Sequence, residues 1–92
     1  MQPVRWLLTI SGEVHGVGYR FFAQIAAQRL GLVGRVRNLP AGRVEIVAQG
    51  QLPEMEAFER QLREGPPYST VESVERAEMQ PGDDFDAFHI IR

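Results

Sequence analysis

The sequence holds no cysteine and no lysine, and each absence removes a class of chemistry. Without thiols there is no disulfide framework, no thiolate nucleophile and no sulfur-ligated metal. Without lysine the usual lysine-bearing phosphate loop cannot be built, so an anion site must rest on arginine, of which the chain has ten. Histidine is scarce as well. The two histidines, His15 and His89, have no cluster of acidic, histidine or cysteine partners that would mark a metal site or an oriented general base. A basic excess is also missing: the formal net charge of −2 argues against a general nucleic-acid binder. The N-terminal run MQPVRWLLTISGEV is too short in apolar residues for a signal-peptide core or a membrane span, so a cytoplasmic protein without membrane association is expected.

What remains is ordinary for a compact domain. Ninety-two residues with a hydrophobic fraction of 43% suit one domain, residues 1–92, built around one core. Val4, Trp6, Leu8 and Ile10 alternate with Arg5, Thr9 and Ser11, the period of a strand with one buried face, although Leu7 breaks the polar side. RFFAQIAAQRL, from Arg20 to Leu30, places Phe22, Ile25, Ala26 and Leu30 at helical spacing, with Gly31 as terminator and Phe21 and Phe22 as expected core anchors. Gly34 to Asn38 reads as a short exposed or edge strand with Val36 inward, and Leu39 to Arg43 as the turn to a strand from Val44 to Gln49. Pro53 opens a second helix with Met55, Phe58 and Leu62 on one stripe, which Gly65, Pro66 and Pro67 end. TVESVERAEM reads as a strand, PGDD as a turn with Asp83 and Asp84 facing solvent, and FDAFHII as a last short strand. The order predicts an α+β, ferredoxin-like split βαββαβ sandwich, with two helices on one face of a largely antiparallel sheet and a short extra C-terminal strand.

The chemistry concentrates between Gly12 and Arg20, GEVHGVGYR. Gly16 and Gly18 precede an arginine and a helix start, so turn N–H groups, the helix N-terminus and the Arg20 fork could converge on one anion. A phosphate offers the charged oxygens that such donors need. Plain connection chemistry would also use glycines here, and spacing alone leaves the two readings open.

The residues resemble the acylphosphatases. The first motif of that family stands here as Gly12, Val14, His15, Gly16, Val17, Gly18, Tyr19 and Arg20, and the second as Gly34, Asn38, Gly42, Val44 and Gly50. The Gly65-Pro66-Pro67 run and the C-terminal Phe88-His89-Ile90 are similar too, so the likeness covers nearly the whole chain. Two positions depart from the pattern: His15 replaces the usual glutamine, and Arg35 stands where an aromatic residue commonly sits, near Asn38. The resemblance implies hydrolysis of the carboxyl-phosphate anhydride of a small acyl phosphate, with water as nucleophile. Arg20 is then the phosphate-binding arginine, the backbone of His15, Gly16, Val17, Gly18, Tyr19 and Arg20 the phosphate loop, and Asn38 the residue that orients the water. It implies no metal, no cofactor, a monomer, and inorganic phosphate as product and inhibitor. Positioning and charge stabilisation suffice for such a reaction because the leaving group is already good. A non-catalytic module on the same fold is the alternative. An RNA-binding version would need aromatics on its central strands, and Val44 to Gln49 has none; a small-molecule regulatory or maturation domain would keep the same core.

Overall fold

The computed structural model describes residues 2–92. In chain order the elements are β1 (Val4–Glu13), α1 (Tyr19–Arg29), β2 (Val33–Asn38), a 3-10 turn (Pro40–Gly42), β3 (Val44–Gly50), α2 (Leu52–Glu64), β4 (Thr70–Met79) and β5 (Phe88–Ile90). They form one sheet in the order β4-β1-β3-β2-β5, with antiparallel neighbours except β2 and β5, which run parallel. The sheet is therefore mixed. The parallel pairing follows from the path of the chain after β4, which crosses the whole sheet before β5 begins.

The period-two pattern of β1 places Trp6, Leu8 and Ile10 on one face, where register pairs Leu8 with Ile46 and Ile10 with Val44. Both helices cover this face. From α2, Met55, Phe58 and Leu62 enter the core, fully buried, each contributing about 1.5–3 kcal/mol of transfer free energy. Phe58 meets Phe88 of β5 edge-on, with ring centroids 6.0 Å apart.

Helix α1 has the expected period but not the expected phase. Its buried residues are Tyr19, Ala23, Ala26 and Ala27, while Phe22 and Ile25 lie on the flank, half-buried, and Phe21 is 62% exposed. Reading Phe21 and Phe22 as core anchors is thus corrected. The small alanines let the helix lie close to the sheet, which leaves no depth on that side for a phenyl ring.

One further expectation changes, and another gains a detail. β2 is not an edge strand: it lies between β3 and β5. Its arginines look edge-like because Arg35 and Arg37 point to the face away from the helices, where Arg37 Nε donates to Glu45 at 2.8 Å. Asp84 faces solvent, as expected, yet it is paired. The segment after β4 lies against that same open face, where Arg5 Nη2 donates to Asp84 at 2.6 Å and Arg5 Nε to Gln49 Oε1 at 2.8 Å. Gln49 and Gly82 exchange side-chain and backbone hydrogen bonds of 2.7 and 3.0 Å, and the Arg5 guanidinium stands 4.9 Å from the Phe85 ring centroid. The hydrogen bond from Arg5 holds the Asp84 carboxyl below its usual range. This strap explains the burial of Arg5.

Candidate functional site

The loop after β1 owes its shape to two glycines. Gly16 and Gly18 have φ values of 71° and 77°, and a Cβ added to either would meet no atom within 4 Å. Glycine is required there by backbone handedness and not by lack of space, since an L side chain in that region costs about 1–2 kcal/mol. Val14, almost fully buried, anchors the start of the loop, and Val17 packs against the edge of the core. Gly18 is the N-cap of α1, and its carbonyl accepts the Phe22 N–H at 2.9 Å. The N–H groups of Tyr19, Arg20 and Phe21 then have no acceptor within the helix. No side chain caps them, and the first turn contains no acidic residue. The positive end of α1 is therefore open to an anion.

Arg20 stands in that first turn, partly exposed. Among the described residues it makes no ion pair and no side-chain hydrogen bond, in contrast to Arg5, Arg37, Arg63 and Arg76. Its five donors are available to a ligand. Tyr19 plays a different part. Its backbone belongs to the loop, but its ring is buried and its hydroxyl donates to the Leu62 carbonyl of α2 at 2.6 Å. That carbonyl lies in the last turn of α2, where no further helical N–H reaches it, so the bond joins the start of one helix to the end of the other. Burial pushes the Tyr19 phenol up from its ordinary value.

Asn38 arrives from the sheet. It closes β2 on the same side as Gly34 and Val36, the side the helices cover, while Arg35 faces the other way between Val47 and His89. The departure at Arg35 is thus directed away from Asn38. Beyond Asn38 the chain reverses through Ala41 and Gly42, with φ values of 64° and 74°, and the Leu39 N–H donates to the Arg43 carbonyl at 2.8 Å. The same oxygen accepts His15 Nε2–H at 2.6 Å. His15 thereby fastens the glycine loop to the turn that carries Asn38, and the nitrogen making this bond carries a proton and cannot act as a base. Sequence reasoning had no signal for this strap, because its acceptor is a backbone atom 28 residues away.

A surface cavity of about 290 Å³ collects these parts. Gly16, Gly18, Tyr19, Arg20 and Asn38 all line it, joined by Val14, Phe21, Ile90 and Arg92. His15 and Val17 of the expected loop do not. Ile90 and Arg92 were missed from sequence: the parallel β5 brings them beside β2, and strand direction is not visible in a three-residue strand. Among the described residues no group of three histidines, cysteines, aspartates or glutamates could hold a metal ion. The arrangement gathers N–H donors, a free guanidinium and a neutral amide around one opening, a combination suited to a multiply charged oxyanion and a positioned water.

Comparison with known proteins agrees over almost the entire chain. The acylphosphatase family model matches residues 6–90. A curated acylphosphatase of Acaryochloris marina is 47% identical over 83 residues, covering 90% of this chain and 88% of the relative. The crystal structure of acylphosphatase from Bacillus subtilis superposes with a TM-score of 0.93 at 31% identity, covering 97% of this chain and 99% of that one. The same fold occurs in full-length HypF, crystallised in a phosphate- and nucleotide-bound form, with a TM-score of 0.90 and 32% identity; the match covers 99% of this chain and 12% of HypF.

Proposed function

Since this chain belongs to the acylphosphatase family and is a hydrolase of acyl phosphates, we propose that its loop and Arg20 hold the phosphoryl group while Asn38 positions the attacking water. The observation that carries this reading is the convergence of Arg20, the uncapped first turn of α1 and Asn38 on one cavity.

The phosphoryl oxygens sit over the N–H groups that follow Gly16 and Gly18. Arg20 takes two of them in its planar fork. As the transition state develops, charge spreads over these oxygens, and donors already in place need no reorganisation to stabilise it. The Asn38 amide accepts from and donates to one water, holding it in line with the bond to be broken. The water oxygen forms the new bond to phosphorus, the bond from phosphorus to the acyl oxygen breaks, and its electron pair leaves with the carboxylate. Both water protons stay with the phosphate product, so a dianionic acyl phosphate gives a carboxylate and a monoanionic dihydrogen phosphate. A carboxylate is a weak base, with a pKa near ~4, and leaves without protonation. No general base is needed, and His15 serves as a strap. Inorganic phosphate fits the same cradle and inhibits competitively. The enzyme acts as a monomer in the cytoplasm, without a metal.

Arg20 and Asn38 have separable duties. Asn38→Ala lowers turnover of acetyl phosphate by ~10²-fold or more, while phosphate still inhibits competitively. Arg20→Gln loses turnover and phosphate binding together, and Arg20→Lys, lacking the two-pronged geometry, restores neither. An Asn38→Ala protein that no longer binds phosphate, or an Arg20→Gln protein of normal activity, overturns the assignment. Metal independence follows from the donor set: turnover after exhaustive chelation stays unchanged, and restoration by a divalent ion after a loss would contradict it.

A further inference from the structure

We propose that the groove running from the glycine loop along α1 is the subsite for the acyl group of the substrate, and that it selects extended apolar acyl chains. The inference rests on the roles given above to Arg20 and Asn38 and specifies the half of the substrate those roles leave open.

Helix α1 carries an apolar stripe that the core does not use. Phe21 or Phe22, Ile25 and Arg29 succeed one another at intervals of three to four residues, with Gly18 at the head of the row. They line a groove of about 320 Å³, bounded on the other side by Gln61 of α2 and Pro66 just beyond it. This volume falls within the range of about 300–1,000 Å³ usual for small-molecule sites. Arg29, the only charged residue of the lining, stands eleven residues from Gly18. At the helical rise that is roughly 16 Å, so the segment next to the loop is apolar.

The groove adjoins the catalytic cavity. Gly18 and Phe21 line both, whereas Asn38 lines only the first and Ile25 only the second. An in-line displacement puts the entering water and the leaving oxygen on opposite sides of phosphorus. With the water on the Asn38 side, the carboxylate departs away from Asn38, and the proposal takes it over the Gly18–Phe21 rim that the cavity and the groove share. An acyl chain laid there covers the exposed Phe21 ring and the flank of Ile25, removing apolar surface from water. These contacts lie remote from phosphorus and are equal in ground and transition states, so they lower KM and leave kcat alone.

The test compares kcat and KM for acetyl, butyryl and hexanoyl phosphate. The expected result is a rise in kcat/KM of up to about fourfold per added methylene, carried by KM with kcat nearly constant. Ile25→Gln flattens the series and leaves acetyl phosphate turnover unchanged. Gln61→Leu, an exposed position on a stable helix, steepens it by extending the apolar wall. A flat series in the parent protein, with acetyl phosphate turned over normally, overturns the inference and leaves the groove to a partner's side chain. A slope that both variants leave intact overturns it equally. Failure to hydrolyse acetyl phosphate at all is a different result: it removes the Arg20–Asn38 reading and the inference with it.

Discussion

The two helices cover the same face of the same sheet, yet they use their apolar residues in opposite ways. α2 commits its large side chains to the interior: Met55, Phe58 and Leu62 are all fully buried. α1 buries Tyr19 and three alanines and leaves Phe21 outside, with Phe22 and Ile25 only half-covered. A helix that serves only as scaffold gains most by burying its largest residues. A helix whose N-terminus must present donors to a ligand is fixed in position by that task, and its packing is limited to whatever fits beneath it. The difference marks α2 as the structural helix and fits the role proposed for the N-terminus of α1.

Three measurements can break or sharpen this contrast. The largest effect belongs to α2. Phe58→Ala opens a cavity under β5 and costs about 3–5 kcal/mol in denaturant unfolding, while turnover per folded molecule stays near the parent value. A loss below ~1 kcal/mol would mean that α2 is not the core element its burial indicates.

Next comes the bond that joins the helices. Tyr19→Phe removes the hydrogen bond to the Leu62 carbonyl and costs about 1–2 kcal/mol. The phenol also makes stability depend on alkali. Its folded pKa lies above its unfolded value of about 10, so the stabilisation is complete below that pH and is lost as pH rises toward the folded value. Tyr19→Phe should remove this part of the alkaline decline. An unchanged slope above pH ~10 would assign the decline to other groups.

The smallest effect is expected at the residue that looks most like core in the sequence. Phe21→Gln changes stability by no more than ~0.5 kcal/mol, because a ring so exposed has little burial to lose. A cost of ~2 kcal/mol or more would restore Phe21 to the core and erase the contrast between the helices.

The same contrast decides how much the sequence discloses. Met55, Phe58 and Leu62 obey one stripe and no competing one, so α2 is readable in position and in phase. In α1 two stripes compete, one of large residues and one of small, and hydrophobicity alone favours the wrong one. The turn chemistry of Gly16 and Gly18, the helix start, read at Arg20 and found one residue earlier at Tyr19, and the strand ending at Asn38 were all legible, because each depends on neighbours in the chain. The Arg5–Asp84 pair, the Tyr19–Leu62 bond and the place of Ile90 and Arg92 at the cavity depend on partners far away in sequence. No local pattern encodes them, and β5 is too short to announce its direction. Arg20 and Asn38 stand between these cases: each is an ordinary residue locally, and their meeting becomes visible only once β2 has been placed beside the loop.

One atom holds a further lesson. The Arg43 carbonyl oxygen accepts both Leu39 N–H and His15 Nε2–H, and so binds the turn beyond Asn38 to the glycine loop. Every amino acid brings that oxygen with it. Position 43 can therefore drift through almost any residue type over evolutionary time while the junction persists, and an inventory of side chains that matter would pass over it. The demand falls instead on position 15, where whatever residue is present must bring a donor long enough to reach across. Histidine meets that demand here, and a glutamine amide could meet it equally. At this corner of the molecule heredity is constrained at one end of a hydrogen bond and free at the other.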